Sequence, residues 1–505
     1  MTRSGWFVRG LLLFVLAFAN LNDIRAGPSN LEAPGLWSPD VLPNALFAWT
    51  VIKEHDVDYD EFTVEGAVAS RPGAPTPAPR TPGDAAANRL DREAYFFRAC
   101  GVSTATAPPK AKRSAGGPPA PGPNDHVCSV FPPGMAVLAL PFFAPFVLAG
   151  FSPFDLGLLV HGGHVVAAFV EVLATLLLWS VMRRFAGPRW SLVLVLLYFL
   201  ATSVRTVASQ ALWQHSGVHL AVAAALWLML REEQLSLGRE FFAGLLLGLG
   251  AVVRQTAGLV ALGIHGMRPV RLVVSLIGAA IGVAPLLAYN YFAFGSPLEQ
   301  GYGTKPFDTP PQLGLYGLLF SPSRGLLVYT PYVIFAFVAL LRAWRWPGEV
   351  ATRLRWLSLV WLAALVLYAT YAEWWGGRVF GSRFLDDLAP VLFAALAWAI
   401  GVGLMRTLVE RFVFAIMALW SFVIFQAAAF LYDKSWDTLP VNVNDDPSRL
   451  FNWSDPQWLA VLRSIPAAVN DERAIAGAIL SMLVLTLFIR LELRAARRGE
   501  LASAA

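Results

Sequence analysis

Charge is what this chain has least of. Of its 505 residues only 14% are Asp, Glu, Lys or Arg, against 56% hydrophobic, and the mean hydropathy is +0.55. A soluble protein of this length carries about a quarter charged residues, so a water-solvated globular fold is excluded. The apolar residues instead gather in blocks of about twenty, the length a helix needs to cross the hydrocarbon core. Cysteine is scarce too: Cys100 and Cys128 are the only two, both in one long hydrophilic stretch. On the oxidising side of a membrane such a pair is expected to form a disulfide, the alternative being two free thiols. No basic domain stands outside the apolar blocks. The net charge of +5 and pI near 9.3 therefore do not point to nucleic acid.

The arginines that are present mark topology. Short loops rich in Arg lie at 183–189, 231–239, 267–271, 342–355 and 406–411, with a basic tail at 490–498. Lys and Arg concentrate on the cytoplasmic side. Placing all six there with the N-terminus predicts twelve spans, at 6–22, 156–181, 190–208, 211–230, 240–254, 256–267, 270–293, 325–342, 356–372, 385–404, 411–431 and 474–490. Both ends are then cytoplasmic, and the first apolar run reads as a retained anchor rather than a cleaved leader. One further apolar segment, 131–150, breaks the parity if it crosses. It holds Pro132, Pro133, Pro141 and Pro145, which remove backbone hydrogen bonds that lipid cannot replace. It is expected to lie at the outer interface, a broken thirteenth span being the alternative.

The predicted organisation is an all-α integral membrane bundle with interfacial helices in its first outer loop. Its parts are a first span (1–22), an extracytoplasmic loop (23–155), a bundle of about ten helices (156–431), a second outer loop (432–473), and a last span with a basic tail (474–505). Within the first loop, 69–123 is rich in Pro, Ala and Gly and cannot bury enough apolar surface to fold as a unit. The triplet Asn452-Trp453-Ser454 fits a glycosylation sequon, a pattern common by chance.

Polar residues on the outer side are the candidates for chemistry, because a membrane protein spends them sparingly. Pro39 and Asp40 read as a helix start. Leu42, Ala45, Trp49 and Ile52 on one face predict an amphipathic helix lying on the membrane surface. Asp40 is then either an N-cap or a reactive carboxylate at the cavity mouth. A second cluster runs through Glu373-Trp374-Trp375-Gly376-Gly377-Arg378 to Arg383-Phe384-Leu385-Asp386-Asp387. Outer arginines run against the charge rule, so Arg378 and Arg383 need either an anionic ligand, phosphate above all, or pairing with Glu373, Asp386 or Asp387. Arg324, Arg205, Arg254, Gln214 and His215 also fall near the outer ends of spans. His161 and His164 lack an acidic partner at metal-binding spacing and read as packed side chains.

The layout resembles the GT-C class of membrane glycosyltransferases, above all bacterial relatives of the protein O-mannosyltransferases and of the aminoarabinose transferases that modify lipid A. The resemblance is carried by Trp37-Ser38-Pro39-Asp40, by Phe131-Pro132-Pro133-Gly134, and by Trp374-Trp375-Gly376-Gly377 with Arg383-Phe384. Many members have a second acid after the Asp, where Val41 stands here, which leaves Glu32, Asp56 and Asp58 as alternative partners. The resemblance implies inverting sugar transfer on the extracytoplasmic face from a polyprenyl-phosphate-linked donor, with Asp40 as general base and Arg383, Arg378 and Arg324 on the lipid phosphate. Arg254, His215, Gln214 and Glu373 would line the cavity. A divalent metal is compatible with the class, and no cofactor is demanded. The expected partners are the lipid-linked donor, membrane lipid, and a glycan, lipid or protein acceptor, in a bacterial inner membrane. A transporter or flippase of lipid-linked sugar is the rival. Against it, the two halves show no repeat and no long central loop.

Overall fold

In a computed structural model of the chain, placement is described for residues 3–18, 38–64, 89–101, 121, 125–231, 235–266, 268–302, 307–469 and 472–504. Glu32, Trp37 and, within the 69–123 insert, residues 69–88, 102–120 and 122–123 lie outside them.

Besides short helices at Ser435–Thr438, Gln457–Arg463 and Ile465–Ala468, the described residues form α1 (Arg3–Phe18), α2 (Leu42–Trp49), α3 (Gly134–Leu148), α4 (Leu156–Phe185), α5 (Gly187–Leu200), α6 (His215–Met229), α7 (Leu237–Val253), α8 (Thr256–Gly263), α9 (Pro269–Phe294), α10 (Pro311–Phe320), α11 (Leu326–Tyr329), α12 (Ile334–Ala343), α13 (Glu349–Thr370), α14 (Arg383–Asp386), α15 (Ala389–Gly401), α16 (Leu408–Leu431) and α17 (Glu472–Ala504). Side-chain contacts sort their ends onto two faces. At one, called the basic face, Arg9 of α1 and Arg183 of α4 both pair with Glu492 of α17. At the other, the loop face, Arg205 donates to the carbonyls of Leu16 (2.6 Å) and Ala17 (3.2 Å), capping α1 where its last carbonyls lack partners. Among the described residues the bundle is built from α1, α4 to α9, α11 continued by α12, α13, α15, α16 and α17. Five of these are long and apolar enough to span a membrane by length and composition. The chain is a polytopic, all-α membrane protein.

α3 does not join the two faces. Gly134 at its start is pressed against the Val252–Val253 backbone at the loop-face end of α7. Beyond its far end, Phe151 O accepts from Trp49 Nε1 of α2 (3.1 Å) at the same face. With Pro141 and Pro145 inside it, α3 lies across the loop face. It also changes the character of α2. A helix exposed on one side was expected, but every residue from Leu42 to Trp49 is buried. The reason is that α3 covers one flank of α2 while α4 takes the other.

The most extensive helix pair, α7 with α9, meets through glycine. A Cβ on Gly244 or Gly248 would sit 1.9 or 2.2 Å from the carbonyls of Ser275 and Ala279. One on Gly278 or Gly282 would sit 2.2 or 2.4 Å from those of Phe241 and Leu245. Backbones approach this closely only where side chains are missing, the usual basis of helix association in lipid. The pair carries two loop-face elements: Arg254, just beyond α7, and the anchor of a small hairpin beyond α9. Where β1 (Thr63–Val64) pairs parallel with β2 (Leu90–Asp91), that hairpin pairs β3 (Phe97–Ala99) antiparallel with β4 (Val127–Ser129). Cys100 and Cys128 are joined by a disulfide at its end. Gly101 N donates to Ala293 O (2.8 Å), and the buried Arg98 pairs with Glu299 (3.3 Å), which docks the hairpin on the end of α9.

Candidate active site

Asp40 lies in a 3₁₀ turn, Pro39–Val41, just before α2. It does not cap that turn. Its Oδ2 accepts from Tyr95 Oη (2.8 Å) and its Oδ1 from Trp213 Nε1 (3.4 Å), with the residue 9% exposed. Tyr95 arrives from the segment just before β3, and Trp213 from the link between α5 and α6. The carboxylate is aimed away from its own helix toward two donors from other elements, so it caps neither the turn nor α2.

Arg383 opens α14 and stands over the Trp213 ring at 5.4 Å. Its Nε donates to His215 Nε2 (2.9 Å) and its Nη1 to Gly376 O (3.2 Å). His215 in turn directs Nδ1 at Asp387 Oδ1 (2.7 Å). Asp387 also accepts from Thr256 (2.9 Å) and Tyr368 (3.0 Å), and its cationic partner is Arg254 (3.1 Å). Arg383 therefore makes no ion pair with Glu373, Asp386 or Asp387 among the described residues. Its guanidinium is held by a neutral imidazole and a carbonyl, and Asp40 is the carboxylate that acts on it electrostatically.

The two glycines of Trp374-Trp375-Gly376-Gly377 explain the carbonyl. Both have positive φ, 73° and 80°, backbone that favours glycine. The turn sends Gly376 O to Arg383 and Gly377 O to Arg324 (3.1 Å). Arg324, grouped with the outer phosphate ligands from sequence, is corrected here. It is 1% exposed, donates to Ser323 O (2.6 Å), and pairs with Asp437 (2.6 Å). Asp437 is further held by Tyr432 and Gln457. Arg324's charge is already met, so it supports the glycine turn from behind.

Arg378 is half-buried and acts electrostatically on Lys434, a residue the sequence reading passed over. Lys434 follows α16 in left-handed conformation (φ 62°). Burial pushes its ammonium down to about 8; Asp40 pulls the other way, while Arg378 and Arg383 add to the fall. A signal was available in the sequence: a lysine in an outer loop breaks the charge rule as surely as Arg378 does. Gln214 is buried, accepting from Tyr302 (3.5 Å), and its Nε2 has no partner among the described residues. Glu373 is partly exposed on the same loop as Arg378.

Asp56 and Asp58, alternative partners for Asp40, make no hydrogen bond to it among the described residues. They belong to a separate cluster past α2. Asp58, Asp60 and His126 present ligand atoms within 4.8 Å of one another, as do Asp56, Asp58 and Glu61. These are the described residues best placed to hold a metal. Asp60, then Asp58, raises the pKa of the exposed His126, while Asp60 Oδ1 accepts from Val127 N (2.7 Å).

A second buried cluster, beside the first, was missed entirely. His219, one turn along α6 from His215, directs Nδ1 at Glu171 Oε2 (2.8 Å) and Nε2 at Asp386 O (2.9 Å). Tyr198 donates to Glu171 Oε1 (3.1 Å). Glu171, an acid in mid-span, was the available clue.

Comparison with known proteins gives little to set beside this geometry. No family model matches the chain, and no curated protein does. Among solved structures it is similar to ArnT from Cupriavidus metallidurans bound to undecaprenyl phosphate. The identity is 14% and the TM-score 0.44, over 99% of this chain and 79% of that one.

Proposed function

We propose that this protein is a membrane glycosyltransferase that moves a sugar from a polyprenyl-phosphate-linked donor to an acceptor on the extracytoplasmic face. One observation carries the reading: at the loop-face end of an apolar bundle Asp40 acts on two cations, Arg383 and Lys434, the second of which also feels Arg378. The loop face is then extracytoplasmic and the basic face cytoplasmic, as in a bacterial inner membrane.

The chemistry follows from the contacts. Tyr95 Oη donates to Asp40 as an acceptor hydroxyl would, and its side chain is 54% exposed, so it is free to yield the place. The incoming hydroxyl gives its proton to Asp40 as its oxygen bonds to the anomeric carbon. The bond from that carbon to the phosphate oxygen breaks, its electron pair leaving with the lipid phosphate. Arg383, Arg378 and Lys434 offset the charge that grows there. A single displacement inverts the sugar carbon. His215, Asp387 and Arg254 hold Arg383 in place, and the Gln214 amide offers a hydrogen-bond donor to the sugar.

Asp40→Asn tests the proposal in membranes supplied with a lipid-linked sugar. New glycosidic product should fall about 10²- to 10⁴-fold, the usual share of a general base. Transfer at the wild-type rate would sink the assignment. A carrier would instead move the lipid-linked sugar across the bilayer with no new glycosidic bond, which the same product assay detects.

A further inference from the structure

The hydroxyl that Asp40 holds belongs to this chain. Tyr95 Oη donates to its Oδ2 at 2.8 Å. The other donor, Trp213 Nε1 on Oδ1, is an indole N–H, a donor only, with no lone pair to react. The tyrosine contact is the one a general base makes with a nucleophile before it takes the proton. Ser38 hydrogen-bonds the same phenol, and Arg383 acts on it electrostatically. The phenol oxygen is thus within reach of the base and of the cation assigned to the departing phosphate.

Local structure holds Tyr95 in this place. It lies in the turn between β2 and β3, closed by Ala94 N donating to Asp91 O (2.9 Å) and Phe97 N to Ala94 O (3.0 Å). Phe96 and Phe97, both buried, anchor the next two positions, and Val130 N donates to Phe96 O (3.0 Å). The Cys100–Cys128 disulfide closes the hairpin just beyond. A backbone pinned in this way does not carry Tyr95 off, so its hydroxyl leaves Asp40 only by rotation of the side chain. Until it does, the position that an acceptor needs is filled by a hydroxyl of the protein itself.

We propose that Tyr95 is itself an acceptor, so that the protein glycosylates its own first outer loop when no other acceptor fills the site. This rests on the glycosyltransferase reading above. The Tyr95 oxygen bonds to the anomeric carbon, and its proton passes to Asp40. The bond from that carbon to the phosphate oxygen breaks, its electron pair leaving on the lipid phosphate, where Arg383 and Lys434 meet the charge. Each chain carries the mark once, because the attached sugar then covers Asp40. An external acceptor competes for the same carboxylate and suppresses the mark.

The test uses the full chain in membranes supplied with a polyprenyl-phosphate-linked hexose or pentose. Its tryptic peptide Glu93–Arg98, in which Tyr95 is the only hydroxyl residue, is weighed by mass spectrometry. The wild-type peptide should gain the mass of a single sugar. Asp40→Asn should lose both that increment and the new glycosidic product. Tyr95→Phe should lose the increment and still form product. Product alongside an unmarked wild-type peptide would overturn self-modification and leave the glycosyltransferase standing. An increment that survives Asp40→Asn would also overturn it, since another enzyme would then have attached the sugar. Membranes that yield neither product nor mark would sink both.

Discussion

His215 and His219 are one helical turn apart on α6, both fully buried, and each faces one of two consecutive aspartates. Their chemistry is nevertheless opposite. His215 receives a hydrogen bond from Arg383 on one nitrogen and gives one to Asp387 from the other, so it is neutral. His219 has acceptors on both sides and is charged. The difference lies in the neighbours: arginines surround the first pair, a glutamate and a carbonyl the second. A histidine's protonation is set by what its partners leave available, and the same residue type serves one layer as a spacer and the other as a counter-ion. The first layer keeps cationic charge to spare and faces Asp40; the second lacks it and faces inward.

Breaking the inner layer should have the largest effect on stability. His219→Leu leaves Glu171 and Asp386 buried together without a counter-ion, and should cost about 3–5 kcal/mol, read as a lower melting temperature in detergent. An unchanged melting temperature would mean that the imidazole is not the charged partner. Breaking the outer layer should instead spare the fold and remove activity. Arg383→Ala leaves no carboxylate orphaned, because Asp387 keeps Arg254, so melting should be near wild type. Sugar transfer should fall about 10²- to 10³-fold if Arg383 stabilises the departing phosphate. A variant that melts far lower and transfers normally would reverse the roles of the two layers.

The smallest effect sharpens the comparison through pH. With its ammonium held down to about 8, Lys434 loses its charge as pH rises through that value. Transfer should then decline about tenfold per pH unit above 8 if the cation is required, and Lys434→Arg should carry activity to higher pH. Stability moves the other way. Between about 8 and the ordinary 10.5 the unfolded chain binds the proton and the folded chain does not, so folding is favoured as pH rises. Activity and stability falling together across that window would show that Lys434 is not the group responsible.

Much of the architecture was legible in the sequence because the membrane is a severe solvent. Apolar run length is enough to tell a polytopic helical bundle, with five helices among the described residues long and apolar enough to span a membrane, and the prolines of 131–150 fall in α3 and at its start. The site was less legible. Asp40 and Arg383 were conspicuous, one by motif and one by charge on the wrong side. Arg324 was conspicuous for the same reason, yet it pairs with Asp437 some hundred positions away, and no local pattern carries that distance. Lys434, Tyr95, Trp213 and the whole His219 group come to the site through loops or mid-span positions whose facing depends on tertiary packing. The burial of α2 on all sides had the same origin: its own sequence contains one amphipathic face, and the second cover is supplied by α3.

The turn α14 is four residues long and supplies Arg383 to one layer and Asp386 to the other, with Asp387 immediately after it. So short a piece of helix has almost no internal hydrogen bonds to define its pose. What its side chains grip on either side decides where it rests, which makes it a shared hinge pin between the binding rim and the buried core. For anyone redesigning this protein, a change made at the inner grip therefore reaches the rim, whereas a change at the rim alone can leave the fold in place. A substitution that relaxes the inner grip will be felt at the rim as a displaced arginine.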